Sequence, residues 1–114
     1  LTVARGEVWF ADLNPTRGTE QAGVRPVLVF QSDDINEFTS TVLCIPLTSN
    51  LRRAALPTCL LIRKGEAGLA NDSVALCHQM RVLDKARLQR RLGMLCPDTV
   101  SAVENRMMFT MGIT

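Results

Sequence analysis

Apolar residues gather in short runs separated by polar links that carry Gly, Asn or Asp. The runs fall at residues 7–13, 26–31, 41–47, 57–63 and 73–79, and each reads as a strand. Several are continuously apolar, which suggests that a curled sheet, a helix or a partner chain covers both faces. After residue 84 the pattern changes: 84–88 suits one helical turn and 90–95 a short last strand. Pro97-Asp98-Thr99 then starts a helix, with proline at the first position and an acid near the positive dipole end. Val100, Val103, Met107 and Met111 recur on one helical face, an apolar stripe for core or dimer interface.

The polar link 32–40 is long enough to reverse the chain between the second and third runs. If those runs pair antiparallel about Asn36, Arg25 and Thr48 fall opposite each other at one end of the sheet. Pro26 fixes its own φ, lacks an N–H and biases Arg25 toward extended backbone, so Arg25 is expected at the mouth of its strand and not inside it.

The 114 residues are 46% hydrophobic, enough for one folded domain spanning 1–114, and no linker, repeat or low-complexity tract divides it. Mean hydropathy is +0.11. No apolar run approaches the ~20 residues of a spanning helix, and the start lacks a signal-peptide pattern, so a soluble cytoplasmic protein without a membrane partner is expected. The net charge of +2 permits a nucleic-acid partner without announcing one. All but Lys64 and Lys85 of the 13 basic residues are arginine, a bias suited to planar recognition of phosphate or bases.

Cys44, Cys59, Cys77 and Cys96 form no C-x-x-C, and His78 is the single histidine, so no metal site is expected. The first three lie in or beside apolar runs, where a free thiol behaves as a small hydrophobe.

A guanidinium beside a hydroxyl suits a phosphodiester, since arginine offers a planar fork of N–H groups and threonine one more donor. The plainer alternative is that Arg25 forms a surface ion pair and Thr48 ends a strand, and on the pair alone that reading is favoured.

The surrounding residues change that balance. Residues 5–15 (Arg-Gly-Glu-Val-Trp-Phe-Ala-Asp-Leu-Asn-Pro), 18–29 (Gly-Thr-Glu-Gln-Ala-Gly-Val-Arg-Pro-Val-Leu-Val) and 45–49 (Ile-Pro-Leu-Thr-Ser) carry the first part of a resemblance. Leu56-Pro57-Thr58, residues 72–76 and residues 79–84 complete it. In order and spacing these blocks resemble the MazF/PemK (Kid) family of toxin endoribonucleases over nearly the whole chain.

The resemblance implies a mainly β (α+β) fold: an SH3-like, PemK-type small β-barrel with a C-terminal helix, working as a homodimer. It implies cleavage of single-stranded RNA without a metal or cofactor, the ribose 2′-OH attacking its own phosphate to leave a 2′,3′-cyclic phosphate and a 5′-OH. It also implies a cognate antitoxin whose acidic, apolar tail occupies the RNA groove. In that chemistry Arg25 stabilises the phosphorane and Thr48 donates to a non-bridging oxygen. The chain departs from its relatives at His78, where members often carry Asp or Glu. His78 reads either as an acid/base or stacking group titrating near pH ~6.5 or as an edge residue sharing strand parity with Leu76 and Met80.

Thr19, Glu20 and Gln21 lie in a glycine-flanked loop that the resemblance makes a lid over RNA, their alternative being turn hydrogen bonds. Ser49, Asn50, Arg52 and Arg53 resemble a second mobile loop, and solvated charge is the plainer account of the two arginines. Ser73, Gln79 and Arg81 share a strand face by period two, with Gln79 suited to a base edge and Arg81 to a clamp on Asp84. With no Tyr, and with most of Trp9, Phe10, Phe30, Phe38 and Phe109 assigned to core, recognition would rest on hydrogen bonds and pocket shape. Two rivals share this fold: a CcdB-like gyrase poison, which needs no facing Arg25 and Thr48, and an inactive antitoxin-binding module.

Overall fold

The computed structural model describes residues 2–113. Seven strands form one sheet: β1 (Glu7–Asp12), β2 (Val24–Val29), β3 (Thr41–Thr48), β4 (Cys59–Ile62), β5 (Ser73–Leu76), β6 (Arg81–Asp84) and β7 (Leu88–Met94). A short helix α1 (Asp33–Asn36) lies in the link between β2 and β3, and α2 (Pro97–Met111) closes the chain. Strand order is β4-β5-β3-β2-β1-β7, with β6 also paired to β3. All pairings are antiparallel. The sheet curls but keeps β4 and β7 as its two ends, so the expected small barrel is open.

The long strand β3 organises the rest. On one side it pairs with β2, and on the other it is shared, Thr41–Cys44 lying against β6 and Leu47–Thr48 against β5. This sharing corrects the single strand expected at 73–79. The chain leaves β5 at Leu76, turns through one 3₁₀ turn at Cys77–Gln79, and re-enters beside the same β3 as β6. The turn breaks period two, so His78 does not share strand parity with Leu76 and Met80, nor do Ser73, Gln79 and Arg81 share a strand face.

Alternation explains the continuously apolar runs. Val8, Leu28, Ile45, Leu47 and Ala75 face α2 and pack with its Val103 and Met107, while Trp9, Val27, Val29, Val42 and Cys44 build a second core with Leu83 on the other face. Helix α2 starts at Pro97 as expected and ends at Gly112, whose left-handed backbone (φ 73) returns N–H groups to the last turn. Met111 drops out of the expected stripe and is 51% exposed. No described helix is long and apolar enough to cross a membrane.

The four cysteines are free; Cys44, Cys59 and Cys77 are buried and Cys96 is exposed. Burial pushes the Cys44 thiol up to about 12 and the Cys77 thiol up to about 11.

Candidate active site

The β2–β3 ladder runs Val29↔Cys44, Leu28↔Ile45, Val27↔Pro46. The ladder itself stops there; carried two residues past its end, the same register would put Arg25 across from Thr48, and the two residues do line one cleft. Directly opposed residues point to the same face. Strand β2 begins two residues before the expected boundary, so Arg25 lies inside it, paired with Ala11 of β1, where a mouth position was expected. The strand admits Pro26 because at that point it is laddered to β1 through Phe10, before the ladder to β3 opens at Val27.

The hydroxyl and the guanidinium are both positioned from the backbone. Thr48 is buried, and its Oγ1 accepts the Asn50 N–H at 3.2 Å. Among the described residues no acceptor takes the Thr48 hydroxyl proton, so that proton can be offered outward. Arg25 is exposed; its Nε donates to the Ala22 carbonyl at 3.1 Å, and among the described residues no acceptor engages its outer nitrogens.

The segment that turns Arg25 in this way is the 13–23 loop. It closes on itself through Leu13 N–H to the Gly23 carbonyl at 2.9 Å and Gly23 N–H to Asn14 Oδ1 at 3.2 Å. Gly23 has φ 82, and a Cβ there would stand 4.0 Å from the Arg25 Nε. Gln79 holds the loop with its whole carboxamide: Oε1 accepts the Gln21 N–H at 2.7 Å and Nε2 donates to the Thr19 carbonyl at 3.3 Å. Gln21 Nε2 reaches the Leu47 carbonyl at 3.5 Å, beside Thr48. Glu20 accepts the Arg17 N–H within the loop.

Arg81 also serves this loop, donating from Nη1 to the Leu13 carbonyl at 3.0 Å, while Asp84 caps the next turn through Ala86 N–H at 2.8 Å. The expected Arg81–Asp84 clamp is therefore replaced by a clamp on the loop base.

Arg25 and Thr48 form the rim of a cleft of about 400 Å³. Phe10, Pro26, Leu47, Asn71, Ser73 and Arg90 line its walls. Ser49 extends the rim, and the buried Ser73 donates to the Asn71 carbonyl at 3.0 Å. Asn50 accepts the Arg52 N–H at 3.2 Å and starts a one-turn helix (Leu51–Ala55) that carries Arg52, exposed, and Arg53, half-buried.

His78 stands apart from this cleft. It is exposed on the Cys77–Gln79 turn, its Nδ1 3.0 Å from Thr58 Oγ1 and 3.7 Å from the Cys59 Sγ. Among the described residues no group of three or more His, Cys, Asp or Glu is placed to hold a metal ion.

Asn71 and Arg90 are not marked by the sequence as site residues, and Phe10 is marked only as one of the aromatics mostly assigned to core. Each sits far from Arg25 in the chain, in a stretch whose local pattern reads only as strand or loop. The aromatics also divide differently from the expectation: Trp9 and Phe30 are core, Phe10 is half-buried at the cleft, and Phe38 and Phe109 are exposed.

The chain as a whole is similar to known proteins. The family model described as PemK-like, MazF-like toxin of type II toxin-antitoxin system matches residues 4–110. A protein of Staphylococcus epidermidis named Endoribonuclease MazF is 39% identical over 111 residues, spanning 97% of this chain and 92% of that one. Among solved structures, MazF from Deinococcus radiodurans superposes with a TM-score of 0.85 at 24% identity, covering 99% of both chains. An endoribonuclease from mycobacterial species, solved in complex with its cognate antitoxin, gives 0.83 at 21% identity over 99% of this chain and 98% of that one. At such identities the superpositions speak for the fold.

Proposed function

Because the chain belongs to the PemK-like, MazF-like toxin family of type II toxin-antitoxin systems, we propose that Arg25 and Thr48 hold the scissile phosphate of single-stranded RNA between them. The protein is an endoribonuclease toxin. The observation that supports the site assignment is that one cleft is lined by both Arg25, whose outer N–H groups meet no acceptor among the described residues, and Thr48, whose hydroxyl proton meets none there either.

The ribose 2′-OH gives its proton to solvent water and attacks the adjacent phosphorus, and the bond to the 5′ oxygen breaks as that oxygen takes a proton from solvent, so charge builds on the non-bridging oxygens. Donors already aimed at that charge lower the barrier without reorganising. Arg25, with a free pKa above ~12, acts as cation and donor and not as base. Thr48, its lone pair engaged by the Asn50 N–H, contributes the hydroxyl proton to a non-bridging oxygen. No metal or cofactor is needed in this scheme.

The 13–23 loop, with Thr19, Glu20 and Gln21, covers one side of the bound strand. Ser49, Asn50, Arg52 and Arg53 flank the other, and Ser73 lies on the cleft wall. His78, outside the cleft, acts through its hydrogen bond to Thr58. Gln79 holds the loop in place of reading a base. A cognate antitoxin is the protein's partner, occupying the same groove. The protein works as a homodimer in the cytoplasm, and the exposed Met108, Phe109 and Met111 on the end of α2 suit a chain–chain contact.

Incubation with a defined transcript in EDTA, followed by analysis of both new ends, tests the proposal. A 2′,3′-cyclic phosphate and a 5′-OH are expected, with DNA of the same sequence left intact. An uncut transcript, or 5′-phosphate ends, would contradict it.

A further inference from the structure

The cleft below the Arg25–Thr48 rim contains a cation that the chemistry at the scissile phosphate does not use. Arg90 of β7 lies over the Phe10 ring, its Cζ 5.2 Å from the centroid, and both residues line the cleft. The strand is irregular on each side of this position. The β1–β7 ladder passes from Val8↔Gly93 to Trp9↔Arg91, then from Phe10↔Arg90 to Ala11↔Leu88, so a bulge stands before and after the Arg90–Arg91 pair. Bulges bend a strand and re-aim its side chains, and they are common beside functional sites.

The two arginines differ in what they face. Arg91 donates to the carboxylate of the buried Glu7, which also accepts from Trp9 Nε1 at 3.3 Å. Arg90 has no acidic partner among the described residues and is exposed, with one side of its guanidinium seated on an aromatic ring. The same cleft is lined by Asn71, exposed and able to give and take hydrogen bonds, and by Ser73. A guanidinium plane, an aromatic support, an amide and hydroxyls are the means by which an unpaired nucleobase is held. A volume of about 400 Å³ takes one such unit.

We infer that this cleft is a second nucleotide subsite, in which the base next to the scissile phosphate stacks on the Arg90–Phe10 platform with its edge toward Asn71. The inference rests on the reading that the scissile phosphate lies at the rim, since Arg25 and Thr48 line the same cleft.

Binding decides it separately from cleavage. The intact protein is titrated against a fluorescent single-stranded oligoribonucleotide with 2′-O-methyl riboses, which cannot be cut, and against versions carrying one abasic position each. Arg90→Gln is expected to weaken binding about tenfold, the scale of one base stack, with Arg90→Lys in between. Arg63→Gln, an exposed position outside the cleft, serves as the charge-matched control and should stay within twofold of wild type. The decisive result is that an abasic position beside the cleavage site weakens wild type about tenfold and removes the Arg90→Gln effect.

Wild-type-like binding by Arg90→Gln, or an equal loss on every abasic oligonucleotide, would overturn the subsite. So would a loss of antitoxin affinity with RNA affinity unchanged. If Arg90→Gln does not fold, the abasic scan on wild type decides alone, and a flat scan overturns the inference. Failure of wild type to cut unmodified RNA in EDTA would count against the proposed function and leave this binding result standing on its own.

Discussion

Gln79 receives the Gln21 backbone N–H on Oε1 at 2.7 Å, and its Nε2 donates to the Thr19 carbonyl at 3.3 Å. One side chain from the β5–β6 corner thus fixes the loop that shapes the surroundings of Arg25. Gln79→Leu, which keeps the bulk but offers neither group, is expected to lower kcat/KM for RNA about 10- to 100-fold, consistent with ~1–3 kcal/mol for leaving the loop groups unpaired. Global stability should change by less than the activity does. Steady-state cleavage beside thermal unfolding checks this, and full activity in Gln79→Leu would remove the latch from the account.

His78 supplies a contrasting prediction. It hydrogen-bonds Thr58 outside the cleft, so His78→Ala should cost less than about threefold in kcat. A general acid or base would cost ~10²–10⁴-fold. Single-turnover rates measured across the pH range separate the two outcomes.

The cleft wall depends on a close backbone approach. A Cβ on Gly93 would lie 2.6 Å from the Ala67 carbonyl carbon, and one on Gly68 2.2 Å from the Leu92 oxygen. Neither obstacle is a side chain that can swing aside. Gly93→Ala is expected to destabilise the fold by ~1–3 kcal/mol or more, read as a lower urea midpoint with an unchanged m-value.

Buried thiols set a limit at high pH. The Cys44 and Cys77 thiols are raised by desolvation from 9.0 to about 12 and about 11. Their protonated forms support the fold fully below pH 9, and that support is lost as pH rises toward 12, because the unfolded chain ionises first. Each thiol contributes a slope of up to ~1.4 kcal/mol per pH unit in that window. Cys44→Ala should flatten the fall in stability between pH 9 and 11 relative to wild type. In the native state a chromogenic thiol reagent should react promptly with Cys96 alone.

The cores of β1 to β4 and the start of α2 are legible in the chain, because they follow from apolar runs and one proline, and the β2–β3 pairing follows from the length of one link. The corner at Cys77–Gln79 is not, since it arises from β3 offering different halves of one edge to β5 and β6. That is a tertiary arrangement with no local mark, and it moved His78 and Gln79 out of the strand that period two suggested. Arg81 was read as a clamp and is one, but its partner, the Leu13 carbonyl, lies across the sheet and not three residues on. Phe10 and Arg90 meet only because β7 returns to β1, and alternation could not foresee that. Met111 shows the opposite limit: helical spacing continued to the end of α2 while the surface it could pack on had already run out.

In the proposed mechanism Arg25 and Thr48 act on one phosphate, and a double-mutant cycle on single-turnover RNA cleavage tests that most directly. Arg25→Ala and Thr48→Val should each slow cleavage, by ~10²–10³-fold for the stronger of them. The double variant should be little slower than the worse single one, because groups that work as a unit do not add. Near-normal cleavage by either single variant, or losses that simply multiply, would contradict it.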